Sequence, residues 1–239
     1  MAISEKTVEL NISRTVIEKM RRYHQIKAYA LGATQAQESM FGFDIEITDG
    51  AWSGGFVQYK RLHHVAGGFK RWNLNRTTHR DQHSLLLWIE ATGIPVFYCL
   101  PNFDSEIELR RWTPPPLWTQ AWWIKPSDIP VPPPIDKYHH LTLSPAGIWK
   151  VHSDEGKAFD PGLASFKSLE ENWFDRLDKD IDLATIKTKL NKEIYRRWEL
   201  INSDRLSSQS KSEKIERAEH GRYMGNILQG LGLISYSRE

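Results

Sequence analysis

The sequence predicts an α/β fold: a mixed sheet flanked by helices, with a small β-rich insertion and a helical C-terminal extension. Three features carry that expectation. Residues 43–48 alternate apolar and polar side chains, and residues 56–62 follow as a second extended run, so the two read as a hairpin. Residues 81–91 carry a helical stripe of Leu85, Trp88 and Ile89, and lead through Gly93 and Pro95 into the continuous apolar run 96–100. That is the pattern of a helix feeding a buried strand. From about residue 156 the chain turns charged and helical, with Leu183, Ile186, Leu190, Ile194 and Ile201 on one stripe. These textures divide the chain into an α/β core over 1–105, a Trp/Pro-rich β accessory region packed on it over 106–155, and a helical extension over 156–239.

Taken in order, residues 7–12 alternate (Val8, Leu10 and Ile12 against Glu9 and Asn11) and read as a short strand or extended lead-in. Val16, Met20, Tyr23 and Ala30 predict a helix over 14–31, with Gly32 as its C-cap. Thr34 and Gln37 form a capping-box pattern, so a short helical piece over 35–40 carries Glu38. In the first strand of the hairpin, Phe43, Ile45 and Ile47 share one side while Asp44, Glu46 and Thr48 share the other. Asp49 and Gly50 begin the connecting loop, Gly54 and Gly55 end it, and Gln58 and Lys60 share a face of the second strand. Residues 69–75 suit another short strand, and 106–112 a short helix. Two proline triplets, 114–116 and 132–134, bracket a stretch holding Trp118, Trp122 and Trp123. Residues 139–143 and 148–152 flank Ser144-Pro145-Ala146-Gly147 as a second hairpin.

Of 239 residues, 40% are hydrophobic and 26% charged, the balance of a globular chain rather than a disordered one. Nothing approaches the roughly 18 consecutive apolar residues of a membrane span, and the N-terminus lacks an apolar signal core. The expected setting is therefore soluble and cytoplasmic, with no membrane partner. Cys99 is the single cysteine, which excludes an internal disulfide and a cysteine-rich zinc site. Net charge is only +2, but its distribution is uneven. No acidic residue lies between Asp49 and Asp81, an interval holding Lys60, Arg61, Lys70, Arg71, Arg76 and Arg80 with His63, His64 and His79. Such a block suits a polyanionic partner; a solvated face balanced by acids elsewhere is the competing account.

Chemistry gathers in the order Glu38, then FGFDIEI, then GGFVQYKRL. Phosphodiester hydrolysis needs a nucleophilic water, neutralised charge and a stabilised leaving group, which one or two divalent ions supply. Carboxylate oxygens hold a hard ion such as Mg²⁺. Asp44 and Gln58 on neighbouring strands can point the same way, Glu38 can complete the ligand set, and Lys60 can orient water or steady developing charge.

On these residues, Glu38 upstream, Asp44 in FGFD and Gln58-Tyr59-Lys60 on the next strand, the sequence resembles the restriction-endonuclease-like, PD-(D/E)xK superfamily of nucleases. The resemblance covers roughly residues 14–101, with the helix at 81–91 and the strand at 96–100 in the places where the superfamily core continues. It implies a restriction-endonuclease-like mixed sheet, Asp44 as a metal ligand, Gln58 as a carbonyl-oxygen ligand, Lys60 as the catalytic lysine and Glu38 as the helix-borne glutamate. It implies Mg²⁺ or Mn²⁺ as cofactor, DNA rather than RNA as substrate, and a setting in prokaryotic restriction or antiviral defence. Lys70, Arg71, Arg76 and Arg80 would position phosphates. Two residues depart from the pattern: Gln58 stands where an acid is usual, and no proline precedes Asp44. Glu46 shares a face with Asp44 and offers a further carboxylate.

Other groupings are weaker. His79 and His83 are four apart, but no glutamate follows His79 as a zinc-protease helix requires. Gln82 or His83 can instead reach the site from its helix. No GxSxG elbow and no P-loop occur, and Cys99 suits a buried thiol. Trp112, Trp118, Trp122 and Trp123 suit core packing of an accessory layer shared with Trp149; stacking on unpaired bases and a protein interface are the alternatives. Two further functional readings stand beside the nuclease: a non-catalytic nucleic-acid-binding or assembly subunit, and a protein-interaction module. A homo-oligomer or partner contact through the Trp/Pro region or the C-terminal helices belongs to both.

Overall fold

Ser4 opens the first helix, α1 (Glu5–Tyr23), where its Oγ accepts the Thr7 N–H at 3.1 Å. Glu5 in the first turn and Arg21 and Arg22 in the last complement the helix dipole. Val8, Ile12, Val16 and Met20 recur every fourth residue and are all buried, each worth about 1.5–3 kcal/mol. Residues 7–12 are therefore helix, not the strand or lead-in that their alternation suggests. The alternation was too short to decide: Leu10 is 59% exposed, whereas Val8 and Ile12 are fully buried. The helix also ends earlier than expected, at Tyr23, and Arg21 Nε donates to the Ala28 carbonyl at 2.8 Å. Residues 29–32, read as the helix end and its cap, pair as a strand instead, because a neighbouring strand satisfies their backbone groups.

The computed structural model describes residues 2–23, 27–32, 44–48, 53–74, 76–77, 80–111, 117–130, 139–152 and 156–162. All lie in the unit Met1–Asp180, the first of two into which the chain divides. The expected helix over 35–40, the loop residues Asp49 and Gly50, and the apolar stripe over 183–201 fall outside the described residues. Strands and helices run β1 (Tyr29–Gly32), β2 (Ile45–Thr48), β3 (Ser53–Tyr59), β4 (Leu62–Val65), β5 (Phe69–Leu74), β6 (Arg76–Thr77) and β7 (Arg80–Asp81). Then come α2 (Gln82–Ala91), β8 (Val96–Pro101), α3 (Glu106–Arg111), β9 (Ala121–Ile124), β10 (His139–Leu143), β11 (Trp149–His152) and β12 (Lys157–Phe159).

Among the described residues the architecture is mixed α/β, with few helices. The first sheet has the order β1-β2-β3-β8-β9; β3 and β8 are parallel and the other neighbours antiparallel. The second, wholly antiparallel, has the order β12-β11-β10-β5-β4. The β2–β3 hairpin forms, with Ile45 opposite Val57. The run expected over 56–62 is divided: β3 ends at Tyr59, and Leu62 begins β4 in the other sheet. A change of sheet leaves no mark on alternation, so the sequence reads as one strand. The Trp-rich stretch feeds β9 into the first sheet, and the hairpin at Ser144–Gly147 joins β10 to β11 in the second.

α1 covers one face of the first sheet, burying Ile45, Ile47, Val57, Tyr59, Phe97, Cys99 and Trp123 with it. Strand alternation sends Gln58 and Tyr98 to the other face, where His83 Nδ1 of α2 meets the Tyr98 hydroxyl at 3.0 Å. Tryptophans join the sheets. Trp72 Nε1 donates to the Pro101 carbonyl at 3.2 Å, and its ring stacks on Trp149 with centroids 5.4 Å apart. Trp122 meets Trp149 edge-on at 5.7 Å and donates to Asn102 Oδ1 at 2.9 Å. No helix among the described residues is long and apolar enough to cross a membrane.

Candidate functional site

Asp44 lies one residue before β2, tied to β3 by its N–H to the Val57 carbonyl at 3.1 Å. Its Oδ2 accepts the Tyr59 N–H at 2.6 Å and Gln58 Nε2 at 2.8 Å. Gln58 Nε2 also donates to the Tyr59 carbonyl at 3.1 Å. The Gln58 Oε1 accepts from Gln82 Nε2 at 2.7 Å, and Gln82 Oε1 accepts from Lys60 Nζ at 2.9 Å. The donors therefore run one way, from the ammonium of Lys60 through two amides to the carboxylate of Asp44. Asp44 is 6% exposed, Lys60 2% and Gln58 0%. Burial at low local dielectric strengthens such a chain and makes any broken link costly.

Local structure explains the convergence. The parallel pairing of β3 with β8 holds Gln58 opposite Tyr98, and the Lys60 N–H to the Cys99 carbonyl at 3.1 Å carries the register one residue past the strand end. Gln82 is the first residue of α2, so its side chain reaches back from the start of the helix across the sheet face. Gln82 and His83 were both candidates to reach the site from this helix. Gln82 is the link, while His83 stacks on Tyr98 with centroids 5.9 Å apart.

The charge of Asp44 is felt through the sheet. Burial first, then Cys99, Asp44 and Glu9, push the Tyr59 phenol well above its ordinary range, against a lowering hydrogen bond from Ser13. Burial and then Asp44 do the same to the Cys99 thiol. Both stay protonated at neutral pH, so neither is a nucleophile here. Tyr59 instead anchors α1, its hydroxyl 2.6 Å from Ser13 Oγ.

Asp44 and Gln58 offer hard oxygen donors suited to Mg²⁺ or Mn²⁺. Gln58 turns its amide nitrogen, not its oxygen, toward Asp44. A half-turn of that amide sets two oxygens side by side, an arrangement that a cation favours and that is otherwise repulsive. The donor chemistry therefore fits a divalent ion, and the fit requires the Gln58 amide to let go of Gln82. Glu38, expected to complete the ligand set, lies outside the described residues, as does the side chain of Glu46.

Lys70 and Arg71 are neighbours on β5 and so face opposite ways. Lys70 Nζ turns to Asn102 Oδ1 at 3.0 Å, between the sheets. Arg71 faces outward with His63, its cross-strand partner. Arg76 and Arg80 are placed by backbone only, in the β6–β7 pair. The Tyr59 N–H, which meets Asp44 Oδ2 at 2.6 Å, carried no signal in the sequence, because any residue supplies a backbone donor.

A second grouping, His64, Asp104 and Glu108, brings ligand atoms within 4.8 Å of one another. Its carboxylate Glu108 caps α3: it accepts the Asp104 N–H at 3.0 Å, while Ser105 Oγ accepts the Glu108 N–H at 3.3 Å. Burial would raise the Glu108 carboxyl, but hydrogen bonds from Asp104 and Ser105, with His64 nearby, hold it below its ordinary range. Helix capping accounts for the position of the Glu108 carboxylate, while His64 Nε2 lies 3.6 Å from Asp104 Oδ2. Compared with protein-family models, curated proteins and solved structures, the chain matches none.

Proposed function

We propose that this protein is a divalent-metal-dependent nuclease of the restriction-endonuclease-like kind, hydrolysing phosphodiester bonds, DNA in preference to RNA. The observation that carries the reading is the buried contact of Asp44 with Gln58 at 2.8 Å, with Lys60 joined to the same group through Gln82. A carboxylate, an amide carbonyl and an ammonium on one sheet face are the side chains that metal-assisted attack on phosphorus uses. The mixed sheet, with β3 parallel to β8 and α2 between them in sequence, supports the superfamily's core arrangement.

In this reading Asp44 and the Gln58 carbonyl hold Mg²⁺ or Mn²⁺, with Glu38 as a further ligand. The ion, when bound, neutralises the phosphate and activates water. Lys60, held by Gln82 Oε1, would face the charge that develops on the phosphorane oxygens. Prokaryotic antiviral or restriction defence is the setting proposed for it. A second reading, a non-catalytic nucleic-acid-binding or assembly subunit, draws on the chain from Lys60 to Asp44, which already satisfies both amides without an ion. Incubation of plasmid DNA, single-stranded DNA and RNA with Mg²⁺ and with Mn²⁺ separates the two. Cleavage that Asp44→Asn abolishes supports the nuclease, and no cleavage of any DNA or RNA form supports the subunit.

A further inference from the structure

The outer face of the second sheet is assembled from strands distant in sequence. Register aligns His63, Arg71, Thr142 and Lys150 in one row across β4, β5, β10 and β11. The next row on that face is Asn73, His140 and His152. The opposite face of the same strands holds Leu62, Trp72, Leu141 and Val151, all buried, so the rows above point outward. On the other side of the first row, Val65 pairs with Phe69, each 39% exposed.

Neither row contains a carboxylate. Arg71 Nε, although buried, finds no acceptor among the described residues, nor does Arg61 Nε beside it. Burial and the cations Arg61 and Arg71 lower the His63 pKa, against an opposing pull from Asp104, so the positive field reaches the neighbouring ring. His140 and His152 stack at 4.7 Å and 5°, and His152 Nε2 lies 2.8 Å from Thr142 Oγ1. Gly156, at φ 71°, lies against that ring: a Cβ there would come within 2.6 Å of His152 Cε1. The imidazoles are thus held in fixed positions beside Arg71 and Lys150.

We propose that this face binds single-stranded nucleic acid, with phosphates on Arg71 and Lys150, the His63, His140 and His152 rings alongside, and an unpaired base on Phe69. Cations in a row beside an exposed aromatic ring are the elements of sequence-tolerant single-strand binding, because every base has a π face. A paired base has no free face for Phe69, which favours a single strand over a duplex. The inference rests on the nuclease reading in taking the polyanion to be nucleic acid. The surface itself is distinct from the Asp44 group, since Arg71 faces away from the junction between the sheets.

The test is fluorescence anisotropy of labelled oligothymidylate, and of the same strand annealed to its complement, with the full chain in EDTA so that cleavage cannot intrude. The parent should bind the single strand more tightly than the duplex. Lys150→Glu, at an exposed position, and Arg71→Gln should each weaken binding about tenfold, and each lower the salt slope by about 0.7. Phe69→Ala should weaken single-strand binding about fivefold or more and leave the slope unchanged. Unchanged affinity in all three folded variants, tighter binding of the duplex, or no binding by the parent overturns the proposal. Metal-dependent cleavage is read separately: a parent that binds and never cleaves removes the nuclease and keeps the surface, and one that cleaves while these variants bind normally does the reverse.

Discussion

Asp44 and Gln58 are the residues whose chemistry is most exposed to test. Asp44→Asn removes the one described carboxylate of the group, and thermal stabilisation by Mn²⁺ should disappear together with cleavage. Gln58→Glu is expected to behave in two ways. Without a divalent ion, two buried carboxylates meet where an amide donated to Asp44, so stability at neutral pH should fall and recover in acid as one carboxyl gains a proton. With Mg²⁺ or Mn²⁺ the melting temperature should rise more than in the parent. A variant as stable as the parent in EDTA, with no larger response to metal, would show that position 58 does not face Asp44. At this scale the sequence was informative because strand period puts Gln58 and Lys60 on one face, and the hairpin pattern lets Asp44 point the same way. Gln82 was legible only as one of two helix residues able to reach the sheet. The one-way order of donors through both amides depends on side-chain torsions that no pattern encodes.

Among the elements, α1 shows how a longer period overrules a shorter one. Ile12→Ala should cost about 2–5 kcal/mol, because the side chain is fully buried among α1 and sheet residues. Leu10→Ala, on the exposed side, should change stability by less than about 0.5 kcal/mol. Urea midpoints of the two variants check this, and equal losses would mean that the buried stripe is misassigned. The second sheet offers a pH test. His63 is lowered by burial, Arg61 and Arg71, with Asp104 opposing; His140 by burial, His152, Arg71 and His139; His152 by burial and Lys150. A lowered histidine binds its proton more readily in the unfolded chain. Stability from this source is full above the unfolded pKa, about 6.5, and is lost as pH falls through and below it. Replacing all three with Gln should flatten the fall in urea midpoint between pH 7.5 and 5.5. An unchanged slope would place the acid sensitivity elsewhere.

At the scale of the whole molecule, two sheets meet at Trp72, Trp122 and Trp149, with Asn102 receiving both Trp122 and Lys70. Trp72→Ala should cost about 3–5 kcal/mol and loosen the junction. The parallel β3–β8 pair was foreshadowed by a helix feeding an apolar strand. The second sheet was not, because β5 pairs with β10 across a long stretch of sequence (Leu74 opposite His139), and only tertiary contact decides that partner. In the proposed mechanism Lys60 acts on charge developing during phosphodiester cleavage. Lys60→Met keeps most of the apolar stem in its buried place and removes the ammonium, at the cost of leaving Gln82 Oε1 without its donor. The decisive measurement is the single-turnover cleavage rate of parent and Lys60→Met on plasmid and single-stranded DNA with Mg²⁺ and with Mn²⁺, beside their melting temperatures and DNA affinities. The parent should cleave, and the variant should fold and bind DNA within a few-fold of it while losing at least about a hundredfold in rate. A folded Lys60→Met protein that cleaves as fast as the parent with both metals would contradict that mechanism.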